Sequence, residues 1–137
     1  MKLNPYLSFD GNCEEAMHFY QDVLGAEVTT FLRFEEAPEE VMKITEDQKQ
    51  LVMHATLEFS GNVLMMSDHL NPDFNLGNTY SLSINAAEDE AYAMYHSLLE
   101  DGTAVMPFDE AFWGGKFGML VDKYGVQWMF TTNHESV

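Results

Sequence analysis

An internal repeat constrains the fold of this chain more than any other feature of its sequence. Residues 7–24 align with residues 82–99 at an offset of 75 positions (82 − 7 = 75). A repeat of this length predicts two copies of one supersecondary unit. The matched pairs are Leu7 and Leu82, Ser8 and Ser83, Asp10 and Asn85, Glu15 and Glu90, Ala16 and Ala91, Tyr20 and Tyr95, and Leu24 and Leu99.

Each copy begins with a strand pattern followed by a helix pattern. In the first copy, PYLSF alternates as a strand, Asn12 is the predicted N-cap and Gly25 ends the helix. In the second copy, the strand spans residues 80–84, Asn85 is the predicted cap and Gly102 ends the helix. Apolar residues recur at helical spacing in both segments and predict a buried face.

Three strand-like runs follow each predicted helix. They are AEVTTFLRF, QLVMHATLEF and NVLMMS in the first copy, and TAVMPF, KFGMLV and VQWMFTT in the second. The predicted order is therefore βαβββ twice. We expect an α+β fold in which a single domain, residues 1–137, consists of two modules at about 1–70 and 77–135.

Composition excludes several classes of partner. Lys and Arg number 6 against 23 Asp and Glu, so the formal charge is −17, which repels nucleic acid and anionic membranes. Residues 1–12 lack the apolar run of a signal peptide or membrane span. Cys13 is the single cysteine, which excludes an internal disulfide and fits a reducing compartment. We expect a cytoplasmic protein without nucleic-acid or membrane partners.

Three stretches carry a resemblance to a known family: PYLSFDGNCEEAMHFY, VMHATLEF with LMMSD, and FWGGKFGMLVDKYGVQWMF. With the duplicated βαβββ order, they resemble the vicinal oxygen chelate superfamily, which includes glyoxalase I, extradiol dioxygenases and bleomycin-resistance proteins, and within it the PhnB-like branch. The resemblance implies modules that form a cup-shaped mixed sheet, with the helices on its outer face and a ligand cavity inside.

Relatives in this branch often carry a methyltransferase label. A Rossmann-type site for an adenosyl cofactor would place a glycine-rich turn after a strand, followed by an acidic residue. This sequence has no such pattern, so we do not predict methyl transfer.

The superfamily's enzymes hold a divalent metal with His, Glu or Gln from the first and last strands of each module. The matching positions here are Asn4 or Pro5, Met65, Thr79 and Met129. Zn, Mn and Ni sites use imidazole or carboxylate, whereas thioether suits soft ions. We therefore expect no cofactor at the usual metal site.

His54, Asp68 and His69 form the one alternative metal set in the sequence. Alternation places the odd positions from 51 to 59 toward the helix and His54 toward the cavity. Alternation does not fix the direction of Asp68 or His69, because they follow the predicted fourth strand. A divalent metal held by His54 and Asp68 remains an alternative, as does a structural or ligand-contacting role for His54.

The same alternation predicts which side chains line the cavity. The lining mixes hydroxyl, thioether, aromatic and imidazole groups, as in a pocket for a partly apolar molecule. The alternative is a small closed barrel filled by these side chains. The predicted lining residues are Tyr6, Ser8, His54, Thr56, Met65, Ser81, Ser83, Gln127 and Met129.

The run from Phe112 to Lys116 predicts a turn with two adjacent glycines. Phe112 and Trp113 would cap the cavity mouth, and Gly114 and Gly115 would let this loop close. The alternative is a hairpin turn whose aromatic residues pack between the modules.

The sequence and the resemblance together predict a PhnB-like small-molecule-binding protein that works as a homodimer. We expect His54 to be the main polar contact or general base, because imidazole changes charge near neutral pH. Asp68, Tyr6 and Gln127 are further candidates for hydrogen bonds to the ligand. The alternatives are a metal-dependent lyase, isomerase or dioxygenase with a displaced site, and a resistance protein that sequesters a toxic compound.

Overall fold

A computed structural model describes residues 1–132 of the chain. The backbone divides into two compact units, Met1–Asn75 and Leu76–Val137. Within residues 1–132, each unit contains one α-helix and four strands in the order βαβββ. The predicted end of the second module at residue 135 lies outside the described residues.

The first unit contains a mixed four-stranded sheet in the order β1-β4-β3-β2. Strand β1 pairs parallel with β4, and the other neighbours are antiparallel. Two short 3₁₀ turns, Phe34–Glu36 and Glu46–Gln48, lie between β2 and β3. The elements are β1 (Tyr6–Phe9), α1 (Cys13–Leu24), β2 (Glu27–Arg33), β3 (Val52–Phe59) and β4 (Asn62–Asp68).

The second unit repeats this arrangement with the sheet order β5-β8-β7-β6, in which β5 pairs parallel with β8. Its elements are β5 (Leu82–Asn85), α2 (Glu88–Leu99), β6 (Thr103–Glu110), β7 (Lys116–Val121) and β8 (Gln127–Thr131). The predicted α+β fold of duplicated βαβββ modules is confirmed. In the described part of the chain, no helix has the length and apolarity of a transmembrane span.

Each helix packs on one face of its own sheet. Successive side chains of a strand project to opposite faces of the sheet. In both units, many of the strand residues that project toward the helix are apolar and buried. Helix α1 contacts β3 and β4, and α2 contacts β6, β7 and β8. The largest buried side chains are Phe9, Tyr20, Leu57 and Met66 in the first unit, and Tyr95, Leu98, Leu120, Trp128 and Phe130 in the second.

The predicted helix limits hold better in the first unit than in the second. Helix α1 follows Asn12 and ends at Gly25, whose φ of 63° is the left-handed conformation. In the second unit, β5 includes Asn85, so this residue cannot cap α2, and Ala87 holds the N-cap position instead.

The burial pattern of β3 differs from strict alternation at its start. The register with β2 shifts between Leu32 and Arg33, which is a bulge. Consequently Val52 is buried, although alternation predicted that Leu51 and Met53 would face the helix. Beyond the bulge, Ala55 and Leu57 are buried as predicted.

Candidate functional site

The first sheet has one face that its helix does not cover. Residues directly opposite each other on paired strands project to the same side. Tyr6 pairs with Met65, Met65 with Thr56, and Ser8 with Ser67. We call this surface the open face of the first sheet and define it by six side chains: Tyr6, Ser8, His54, Thr56, Met65 and Ser67.

A short chain of hydrogen bonds runs across the open face. The Tyr6 hydroxyl lies 3.3 Å from Nδ1 of His54, and Nε2 of His54 lies 2.9 Å from Oγ1 of Thr56. The Tyr6 and His54 rings are tilted at 46°, with centroids 5.7 Å apart. Since β1 and β3 both flank β4, the sheet itself brings Tyr6 and Thr56 to the same imidazole.

The two tautomers of His54 give the hydrogen bonds between Tyr6, His54 and Thr56 two possible donor-to-acceptor directions. With the proton on Nε2, His54 donates to Thr56 and accepts from Tyr6, which leaves the Thr56 hydroxyl able to donate outward. With the proton on Nδ1, the bonds reverse and the Tyr6 hydroxyl can donate outward. In either tautomer both ring nitrogens of His54 are hydrogen-bonded to a neighbouring hydroxyl.

Asp68 lies on the opposite side of the sheet, which corrects its prediction as a ligand contact. It is buried, with only 4% exposure, and it pairs with Phe9 on the helix-covered face. Its Oδ1 accepts the Cys13 N–H at 2.9 Å, and its Oδ2 accepts the Val52 N–H at 2.9 Å. Asp68 therefore holds the start of α1, where the Asn12 side chain makes no cap hydrogen bond.

Burial of Cys13 beside Asp68 changes the chemistry of its thiol. Desolvation is the largest cause, and the nearby Asp68 charge adds to it, so the pKa of Cys13 lies well above its ordinary value. This geometry makes the residue part of the core and not a nucleophile.

His69 belongs to the loop after β4. Its backbone N–H donates to the Phe9 carbonyl at 2.6 Å, and its Nδ1 accepts the Asn71 N–H at 3.1 Å. Its ring lies 5.6 Å from that of Phe74. These contacts are those of a residue that orders a loop.

The second unit has a corresponding uncovered face. Ser83 pairs with Met129, and Met129 with Met119, on the side away from α2. The Gln127 side chain donates to the Tyr80 carbonyl at 2.7 Å, which fixes its amide. Ser81 precedes β5 and so lies outside the strand in which it was predicted.

Burial also affects Tyr80 in this unit. Desolvation, aided by the Asp122 charge, raises the pKa of its phenol above the ordinary value.

Phe112 and Trp113 lie at the turn between β6 and β7. Phe112 is 98% exposed, and its ring forms an edge contact with Trp113 at 4.9 Å between centroids. Trp113 also contacts Phe117 of β7 at 5.5 Å. Gly114 and Gly115 both have positive φ, as a tight turn requires. The role of Trp113 at a ligand remains a prediction.

Sequence reasoning missed several residues of these faces. Ser67, Thr30 and Leu32 join the first face, and Met106 and Met119 join the second. Cross-strand register places them there. Alternation from Met65 reaches Ser67, but no local pattern gives the register of Thr30, Leu32 or Met106, because β2 and β6 both contain shifts.

The donors present do not fit the superfamily's divalent metal. At the matching strand positions, Met65 offers a thioether beside Tyr6, and Met129 offers one beside Ser83. Hard divalent ions bind imidazole and carboxylate in preference to thioether. The alternative pair is also separated, because His54 and Asp68 lie on opposite faces of the sheet. In residues 1–132 no three His, Cys, Asp or Glu side chains converge as a metal site.

Comparison with known proteins shows the family to which the chain belongs. A family model described as 3-demethylubiquinone-9 3-methyltransferase matches residues 1–131. The chain belongs to this PhnB-like family. Protein YjdN of Escherichia coli (strain K12) is 32% identical, with 94% of this chain and 93% of YjdN covered.

Two solved structures are similar in sequence as well as in fold. Protein PA1353 from Pseudomonas aeruginosa has a TM-score of 0.85 at 34% identity, covering 97% of this chain and 98% of that one. A PhnB protein from Bacillus cereus has a TM-score of 0.80 at 32% identity, covering 97% and 100%. These matches support the PhnB-like assignment along nearly the whole chain.

More distant structures share only the fold. The fosfomycin resistance protein FosX from Listeria monocytogenes has a TM-score of 0.66 at 9% identity, covering 98% of this chain and 94% of that one. This likeness shows that the two proteins share a fold.

Proposed function

We propose that this protein binds an organic small molecule at the open face of the first sheet. The observation that carries the proposal is the hydrogen-bonded chain Tyr6–His54–Thr56, which lies on a sheet face without a covering helix. A half-exposed phenol, an imidazole and a hydroxyl placed in one row are polar groups that can orient a ligand. The thioether of Met65 beside them supplies a soft apolar contact.

The fold supports this proposal by analogy. A FosX variant from Listeria monocytogenes has been crystallised with Mn(II) and 1S,2S-dihydroxypropylphosphonic acid. A related fold can thus bind a small organic molecule, although function does not follow from fold alone. Because Met65 and Met129 do not suit a hard metal, we propose binding without one at the usual site.

The other predicted contacts are proposed for the unit in which each of them lies. Ser8 lies on the open face of the first sheet, and Gln127 and Met129 lie at the uncovered face of the second. Ser81 and Trp113 lie just outside these strands. We propose Ser8 as a further contact of the ligand at the first sheet, and the other four residues as ligand contacts within the second unit.

If a reaction occurs, His54 would serve as its general base or acid. Proton transfer would pass through the Thr56 or Tyr6 hydroxyl, since both imidazole nitrogens are hydrogen-bonded. The Cys13 thiol would take no part, because it is buried in the core beneath the other face.

A fragment screen tests the binding proposal. Wild-type protein, His54→Ala and His18→Ala are compared by ligand-observed NMR against one library of neutral, acidic and basic fragments. His18 is an exposed histidine on α1, so its variant is a matched control. We expect a set of hits that wild type and His18→Ala share and that His54→Ala binds at least tenfold more weakly, as loss of about 1.4 kcal/mol implies.

The same comparison can contradict the proposal. Hits that bind all three proteins equally would show that His54 is not at the binding site. Circular dichroism at 25 °C must show that His54→Ala remains folded. A variant that unfolds would make His54 structural and would also count against the proposal.

We also propose that the protein forms a homodimer in a reducing, cytoplasmic setting. Strand β6 is an edge strand with the apolar residues Val105 and Met106 exposed, and exposed edges favour pairing with another chain. Sedimentation velocity should give twice the monomer mass of 15.6 kDa. Val105→Lys should shift the protein toward monomer, whereas Val41→Lys, at an exposed position outside the strands, should not.

A further inference from the structure

The strands of the first sheet contain a single residue with a fixed positive charge. Strands β1, β3 and β4 contain no Lys or Arg, and β2 contains one, Arg33. The Arg33 guanidinium makes two hydrogen bonds to the Glu14 carboxylate of α1, at 2.9 and 3.0 Å. It also donates to the Gln50 carbonyl at 2.7 Å. Arg33 is therefore engaged with the helix and the chain before β3.

The contact between Arg33 and Glu14 is an ion pair, with 2.9 Å between Nη1 and Oε1. The hydrogen bond to Arg33 lowers the pKa of the Glu14 carboxyl below the ordinary value, and the same bond raises the pKa of Arg33. Releasing Arg33 to bind an anion elsewhere would leave the Glu14 charge without its partner.

Negative charge lies at one end of the same face. Glu58 follows Thr56 on the same side of β3, and Glu27 of β2 lies directly opposite Glu58. Both are exposed, and no Lys or Arg within the described residues lies at ion-pair distance from either. The whole chain, with these two carboxylates included, carries a formal charge of −17. The local and the overall field therefore have the same sign.

We infer that the open face of the first sheet selects ligands whose polar end is cationic or uncharged, and that it rejects phosphonates, phosphates and carboxylates. This inference rests on the proposed function. Binding an anion requires cations or several charge-assisted donors to offset its desolvation. The open face offers neutral hydroxyls and an imidazole, beside a thioether, and these suit an amine or alcohol on an apolar body.

A matched series of probes tests this selection. The probes are 2-naphthylmethylamine, 2-naphthylmethanol and 2-naphthylmethylphosphonate, which share one apolar body and differ in charge. Binding is measured by calorimetry at pH 8, where an ordinary imidazole is uncharged, and at two salt concentrations. Wild type is compared with His54→Ala, and with Glu58→Gln as a variant that removes one negative charge without removing a hydrogen-bonding group of the chain Tyr6–His54–Thr56.

We expect the amine to bind most tightly. The phosphonate should bind at least about tenfold more weakly than the alcohol, because the negative field around the face repels it. High salt and Glu58→Gln should both reduce the preference for the amine over the alcohol. A phosphonate that binds as tightly as the alcohol, and that His54→Ala weakens, would overturn this inference while supporting the proposed function. If His54→Ala weakens none of the three, the proposed function itself fails.

Discussion

At the scale of single residues, Asp68 is the polar side chain with the clearest structural task. Its two carboxylate oxygens accept one backbone N–H from α1 and one from β3. Asp68→Asn keeps the size of the side chain but replaces one acceptor with a donor, which leaves a buried N–H unpaired. We predict a loss of roughly 3 kcal/mol in the free energy of unfolding, measured by urea titration.

The matched control is Asp10→Asn, which changes an exposed carboxylate just after β1. It should alter stability by less than about 0.5 kcal/mol. Equal effects of the two substitutions would show that Asp68 does not tie α1 to the sheet.

Cys13 gives a second prediction at this scale. Because burial raises the pKa of its thiol, the native protein should react with a thiol reagent at pH 8 only as fast as it opens. Ellman's reagent should label less than about a tenth of the protein in minutes and all of it in strong urea. Full labelling of the native protein within a minute would contradict the buried position of this thiol.

Where a strand is regular, the sequence predicted the side of the sheet to which a residue projects. Alternation placed His54 on the side of β3 away from the helix, and the hydrogen bonds to Tyr6 and Thr56 are consistent with that position. Asp68 was assigned to a loop, but β4 extends to include it and directs its side chain under α1. One additional strand residue changed the inferred role.

At the scale of elements, the two helix ends use different devices. Gly25 ends α1 in the left-handed conformation with open space where a Cβ would lie, whereas the backbone at Gly102 passes close to β7. A Cβ at Gly102 would lie 2.5 Å from the Val121 carbonyl oxygen. The left-handed turn after α2 is made by Asp101, with φ of 59°.

These differences predict unequal costs for the same substitution. Gly25→Ala should lower the free energy of unfolding by about 1 kcal/mol, the usual cost of a left-handed alanine. Gly102→Ala should cost roughly 3 kcal/mol, since backbone must move to relieve the contact. Thermal and urea unfolding of both variants measure the difference. A smaller cost at Gly102 than at Gly25 would contradict the close packing against Val121.

Element type and order were predictable, but strand irregularities were not. The helix and strand periodicities are local properties of the sequence, so they appear in both copies of the repeat. The bulges in β2 and β6 depend on the register with the neighbouring strand, which is a tertiary property. They determine which residues of the edge strands join each uncovered face.

At the scale of the whole molecule, a charge of −17 acts on stability. The 23 carboxylates repel one another, and 6 Lys and Arg side chains are too few to balance them. This repulsion disfavours the compact state, and salt screens it. We predict that raising NaCl from about 10 mM to about 500 mM increases the melting temperature by several degrees. KCl should have the same effect if screening is the cause. A melting temperature that falls with both salts would contradict this account.

The repeat made the fold predictable, whereas no comparable feature of the sequence identifies a ligand. Two copies of βαβββ leave few alternatives for the topology, and the family resemblance implied the same fold. The site depends on which side chains share a sheet face, and that arrangement permits many ligands of similar chemistry. The hydrogen-bonded chain Tyr6–His54–Thr56 joins residues of β1 and β3, which no local pattern in the sequence brings together.

The most direct test of the central claim is a ¹⁵N NMR spectrum of the histidine rings with and without a bound fragment. The ring signals of His54 should shift on binding, together with the Tyr6 ring and the Thr56 amide. The signals of His18 and His96, on the two helices, should not move. A fragment that binds the protein while every His54 signal stays unchanged would contradict the claim that this face is the binding site.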